Sequence, residues 1–234
     1  MLVVMTTHII LVPGFWLGAW AWDGIGEALA ERGNQVTPLT LPGLGPDDDR
    51  ATTTLEQQAQ AIVAAADNSV LVVHSGGAAA GYLATDMAPN LFTRVIYIDA
   101  GPLAHGQAVN PALDPEATEW PLPAWAEFEA EGSSLEGLDH DTLVRFRERA
   151  VPEPALVART PLTLQNPDRR KIPTTIVCTS FPSAIVKQMR DAGHPIGLEL
   201  LEIEADYIDL PTSHWPMWSK PAELTSIIDE VANR

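Results

Sequence analysis

Residues 69–83 read SVLVVHSGGAAAGYL, an apolar run joined to a run of glycine and alanine, with His74 and Ser75 at the join. An apolar run without polar alternation is the pattern of a strand buried on both faces. The small residues that follow suit a helix lying close against that strand. A serine at the join sits at the carboxyl end of a strand, where open α/β sheets collect their ligands. A tight strand-to-helix turn pushes the Ser75 hydroxyl clear of the backbone. It also leaves the Gly76 amide at the helix start, able to meet developing negative charge. The stretch therefore predicts a parallel sheet and a nucleophile together.

Working outward, the same rhythm recurs on both sides. Towards the N-terminus stand a strand in THIILVPG, a helix in GAWAWDGIGEALAERG, a strand in NQVTPLTLPG and a helix in TLEQQAQAIVAAAD. Towards the C-terminus come helix GAAAGYLATDMA and strand RVIYIDA, ending at Asp99. The rhythm then stops. Residues 103–170 are proline-rich and acidic, carry Trp120 and Trp125, and hold one clear helix, DHDTLVRFRERA. It resumes with PTTIVCTS, SAIVKQMRDAG, LELLEIEAD as a strand, and a last helix PAELTSIIDEVANR with Ser219 as its N-cap. Buried strands alternating with helices predict an α/β fold whose mostly parallel sheet is covered on both faces. A single domain over 1–234 is expected, with 103–170 inserted as a helical lid.

Composition narrows the partners. The chain of 234 residues is 46% hydrophobic, enough for one sizeable core, and carries a formal charge of −17. Such a surface repels phosphate backbones, which argues against nucleic acid and anionic membranes. The expected partner is a small-molecule substrate with an apolar or aromatic group, homodimerisation being left open. The lone cysteine, Cys178, lies in the apolar run TTIVCTS and reads as a buried small hydrophobe. No His, Cys or carboxylate spacing suits a metal, so neither metal nor cofactor is expected. The apolar start MLVVMTTHIILV has no basic residue before Arg32 and reads as an opening strand rather than a signal peptide, hence a cytoplasmic protein.

Three segments in this order, VPGFWLGAW, VHSGG and SHWPMWSKP, resemble the α/β-hydrolase superfamily, in the branch of esterases and hydroxynitrile lyases. The resemblance spans nearly the whole chain. One position departs from its usual small-x-Ser-x-Gly elbow, with Val73 where glycine is commonest. The resemblance implies Ser75 as nucleophile and His214 as base, with Phe15 and Gly76 supplying backbone N–H groups to an oxyanion hole. The chemistry it implies is hydrolysis of a small carboxylic ester or lactone through an acyl-enzyme. Cleavage of carbon–carbon bonds or cyanohydrins on the same fold, and binding without catalysis, are the alternatives. A dinucleotide site in GGAAAG fits less well, because Ala78 adds a methyl where a pyrophosphate must approach.

The triad acid is not where this superfamily usually carries it. After strand PTTIVCTS the chain offers only Ser180 and Ser183 before Asp191. Asp99, at the end of RVIYIDA, occupies an alternative position known in the superfamily and is the expected acid; Asp206 and Asp209 are the other candidates. His74 should point away from Ser75, since side chains alternate along a strand. Trp16, Trp120, Trp125 and Phe128 are the expected substrate-pocket residues, or else they pack the lid onto the core.

Overall fold

The computed structural model describes residues 6–234. β1 (His8–Val12) leads through a 3-10 turn at Ala19–Trp22 into α1 (Asp23–Glu31) and β2 (Gln35–Pro38). α2 (Leu55–Ala65) follows, its first turn closed by a reciprocal capping box between Thr54 and Gln57. Then come β3 (Ser69–His74), α3 (Gly77–Met87) and β4 (Phe92–Ile98). The chain next leaves the sheet for a long excursion. It contains β5 (Glu119–Trp120), α4 (Trp125–Ala130), α5 (His140–Arg149), β6 (Glu153–Pro154) and α6 (Ala155–Arg159). β7 (Thr174–Cys178), α7 (Ser183–Asp191), β8 (Ala205–Asp209), α8 (Pro216–Ser219) and α9 (Pro221–Ala232) complete the chain.

The six long strands form one sheet in the order β2-β1-β3-β4-β7-β8, and every neighbouring pair is parallel. β3 and β7 are buried along their whole length, which requires cover on both faces. α1 lies against α9, and α2 against α3. The parallel order brings the ends of β3 and β4, hence Ser75 and Asp99, to one edge of the sheet.

Two expectations change. LELLEIEAD is not a single strand: Glu199–Leu201 make a 3-10 turn, and β8 starts only at Ala205. The turn lets Glu199 point inward, where it is buried against Arg169 and Arg170 at 3.0 and 2.8 Å. A strand continuing through this point would carry no such inward charge. Nor does Ser219 cap the last helix. It ends α8, its hydroxyl accepts from Thr212 Oγ1 at 2.8 Å, and Lys220 is the N-cap, with Pro221 at the first helical position. The expected opening strand is present from His8, and residues 1–5 lie outside the described residues.

Candidate active site

Ser75 sits on a strained turn, with a left-handed φ of 49° that few non-glycine residues adopt. The glycines around it make room for this geometry. A Cβ on Gly76 would lie 2.5 Å from the Phe15 ring, and one on Gly14 would lie 2.9 Å from Ser75 Cβ. A Cβ on Gly77 would collide with the Pro13 carbonyl. The departure at Val73 has its match eight positions further on, in α3. A Cβ on Gly81 would fall 2.5 Å from Val73 Cγ1, so the absent side chain of one houses the methyl of the other.

His214 lies in the loop before α8. Its Nδ1 is 2.6 Å from Asp99 Oδ2 and its Nε2 is 2.7 Å from Ser75 Oγ. A carboxylate only accepts, so Nδ1 carries the proton and Nε2 is left to accept from the Ser75 hydroxyl. Asp99 has a left-handed φ of 45° and accepts from three further donors: the N–H groups of Thr179 and Ser180 at 3.0 and 2.9 Å, and Ser180 Oγ at 2.6 Å. Burial pushes the Asp99 pKa up, but the bonds and charge of His214 and the bonds from Ser180 outweigh it and hold it far below the usual carboxylate range. The segment after β7, where the acid is commonest, thus supplies the donors that hold an acid from β4. Asp206 instead faces Arg234, and Asp209 accepts from the Ser183 N–H and hydroxyl at 2.6 and 2.8 Å.

His74 is closer to this chemistry than the strand alternation suggests. Its ring turns away from the hydroxyl of Ser75, yet its Nε2 lies 2.7 Å from the His214 carbonyl. Burial, then the neighbouring His214, holds the His74 pKa down to about 3, so the ring is neutral and Nε2–H donates. On its other side, the His214 N–H donates to the Ser134 carbonyl at 2.7 Å. The backbone of the histidine is therefore fixed at both ends. The remaining histidines have structural partners or none: His8 bridges Thr37 and Ser69, and His105 Nδ1 accepts from the Leu164 N–H.

Among the described residues, neither the Phe15 nor the Gly76 N–H has a protein acceptor, whereas the N–H groups of Ser75 and Trp16 do. The Ser75 N–H donates to the Ile98 carbonyl at 3.2 Å, and the Trp16 N–H to Glu153 Oε2 at 3.1 Å. Backbone N–H groups left without a protein acceptor at this corner are the kind of donor that a developing oxyanion requires.

The four aromatics expected to line the pocket do something else. Trp16 packs edge-on against Trp120 and Phe128 at centroid distances of 4.8 and 5.3 Å, and Trp125 stacks on Phe128 at 6.0 Å. They join the excursion to the core. The cavity that reaches Ser75 and Gly76, about 590 Å³, is walled by Leu103, Val109, Pro161 and Ile196. A second cavity, about 400 Å³, meets it at Asp99, Ala100, Gly101 and Ile196, and reaches His214 with Phe181 and Met189 in its wall. Flat aromatic rings fill one another's gaps well, which leaves the aliphatic and proline-rich side open. Among the described residues, no lysine or arginine lines either cavity, and no group of three or more His, Cys, Asp or Glu could hold a metal ion.

A parallel sheet with a serine, a histidine and an aspartate in one hydrogen-bonded row at its carboxyl edge defines the α/β-hydrolase class. The model of the Alpha/beta hydrolase family matches residues 9–227, and the chain belongs to that family. Solved structures share the fold over nearly the full length of both chains. An extracellular α/β-hydrolase from a Paenibacillus species superposes with a TM-score of 0.76 at 20% identity, covering 96% of this chain and 98% of the other. A methylesterase from Arabidopsis gives 0.72 at 19% identity, with 97% and 99% covered. A pyrethroid hydrolase from Sphingobium faniae gives 0.70 at 20% identity, with 98% of each covered. No curated protein matches the sequence.

Proposed function

We propose that the protein is a serine hydrolase acting on small, uncharged carboxylic esters or lactones. The observation that carries this reading is the unbroken row from the Ser75 hydroxyl through His214 to Asp99. Neutral His214 takes the Ser75 proton as Oγ attacks the ester carbonyl, and Asp99 stabilises the imidazolium that forms. The N–H groups of Phe15 and Gly76 receive the oxyanion. Collapse expels the alcohol, which takes the proton from His214, and leaves an acyl group on Ser75. Water, activated by the same imidazole, then hydrolyses it. The aliphatic walls favour an apolar substituent, and the lack of a lining cation gives no counter-charge to a free carboxylate. The segment 103–170 serves as the lid, since its residues Leu103, Val109 and Pro161 wall the cavity over Ser75.

A panel of neutral and carboxylate-bearing esters and lactones tests this, with Ser75→Ala as control. The neutral compounds should turn over and the variant should not. Turnover confined to cyanohydrins or to carbon–carbon cleavage would replace the ester reading with a different reaction at the same site.

A further inference from the structure

The segment that returns from the excursion holds the loop after β1 at one residue. Trp16 has a left-handed φ of 64°, a conformation that a non-glycine residue keeps only when its surroundings fix it. All three of its polar groups end on the same side. Its N–H donates to Glu153 Oε2 at 3.1 Å, its carbonyl accepts from the Val151 N–H at 3.1 Å, and its indole Nε1–H donates to the Trp120 carbonyl at 2.9 Å. Trp120 and Glu153 are themselves paired across the antiparallel β5–β6 ribbon. The ribbon therefore grips the residue that directly follows Phe15.

Glu153 is the unusual part of this grip. Its side chain is fully buried, and among the described residues no cation pairs with it. Among the described residues, its second oxygen reaches only Gln58 Nε2, at 3.5 Å. Arg50, the nearby charge, directs its guanidinium to the carbonyls of Pro152, Asp48, Gly45 and Pro46. A buried carboxyl without a counter-ion is costly to the fold, and an apolar residue of the same length would fill the space more cheaply. What it supplies is an acceptor for one backbone N–H. We propose that Glu153 is a positioning residue for the oxyanion site, fixing the Phe15–Trp16 peptide so that the neighbouring Phe15 N–H keeps its aim.

This rests on the serine-hydrolase reading and is tested beside it. The wild type, Glu153→Gln, Glu153→Met and Glu153→Asp are compared for kcat and KM on one ester, with the thermal midpoint of each. Gln keeps a carbonyl acceptor in place and should stay within about threefold of the wild-type kcat. Met removes the acceptor and Asp draws it back by a methylene. Each should lower kcat on the order of 10- to 100-fold with little change in KM, below the loss seen when an oxyanion donor is deleted outright. If Met does not fold, Asp decides. Wild-type kcat in Met or Asp, whatever the midpoint, overturns the proposal and leaves Glu153 a structural residue. So does an equal loss of kcat in Gln. A wild type that neither hydrolyses esters nor accepts a phosphonate at Ser75 fails differently, and takes the underlying reading with it.

Discussion

At the residue scale the site depends on how each proton is held. Asp99 fixes the tautomer of His214, and its own negative charge is secured by Thr179 and Ser180. Replacing Asp99 by Asn puts an amide where Nδ1–H needs a carboxylate. Steady-state kinetics should show kcat lower by on the order of 10⁴, the loss that the same exchange causes in a serine-protease triad. Asp206→Asn and Asp209→Asn should leave kcat nearly unchanged, because neither residue touches His214. Near-wild-type rates in Asp99→Asn would remove Asp99 from the mechanism. That Ser75, His214 and Asp99 would come together was legible in the sequence, because each stands in a short local motif. The roles of Ser180 and His74 were not. Both act on a partner far away in the chain, through geometry that only the packed sheet creates.

At the scale of elements, β3 and α3 are matched by the exchange of one side chain. Gly81→Ala restores a Cβ that favours a helix by about 1 kcal/mol. It also drives that atom to 2.5 Å from the stiff, β-branched Val73. Overpacking should prevail, with a net loss of about 1–3 kcal/mol in denaturant unfolding. Val73→Ala in the same chain should recover most of it, and additive losses in the double variant would show that the two do not compete for space. Strand and helix order was legible because apolar runs and turn residues mark it. The start of β8 was not. LELLEIE has strand-like alternation, but Glu199 is drawn inward by two arginines that lie some thirty positions earlier, at Arg169 and Arg170. Likewise the tryptophans of the excursion gave no sign of whether they face a ligand or one another.

At the scale of the whole molecule, two buried ionisable sites outside the row of Ser75, His214 and Asp99 bear on stability. Arg169 bridges Asp86 on α3 and Glu199 at 3.1 and 3.0 Å, and ties α3 to the segment before β8. Arg169→Met would leave a buried Asp86 without its cation, and should cost about 3–5 kcal/mol by chemical denaturation. A loss under 1 kcal/mol would show that water reaches the site. Glu153 makes stability depend on pH. Burial pushes its pKa up to about 8, so the folded protein holds a proton that the unfolded chain releases near 4.5. Its contribution is fully present below about pH 4.5 and is lost as pH rises through about 8. Glu153→Gln cannot ionise. Its thermal midpoint should therefore match the wild type near pH 5 and exceed it near pH 9, and a constant difference across that range would contradict the assignment.

The central claim is that Ser75 is an activated nucleophile, and covalent capture tests it most directly. A fluorophosphonate reacts fastest with a serine whose proton can be taken by a neighbouring base, and it forms the tetrahedral adduct that an oxyanion site holds. Mass spectrometry of the treated protein should show one added phosphonyl group, mapped to the peptide that contains Ser75. Ser75→Ala should stay unmodified, and Asp99→Asn should react far more slowly than the wild type. An adduct on another residue, equal labelling of Ser75→Ala, or an unlabelled wild type that still hydrolyses esters would contradict the account.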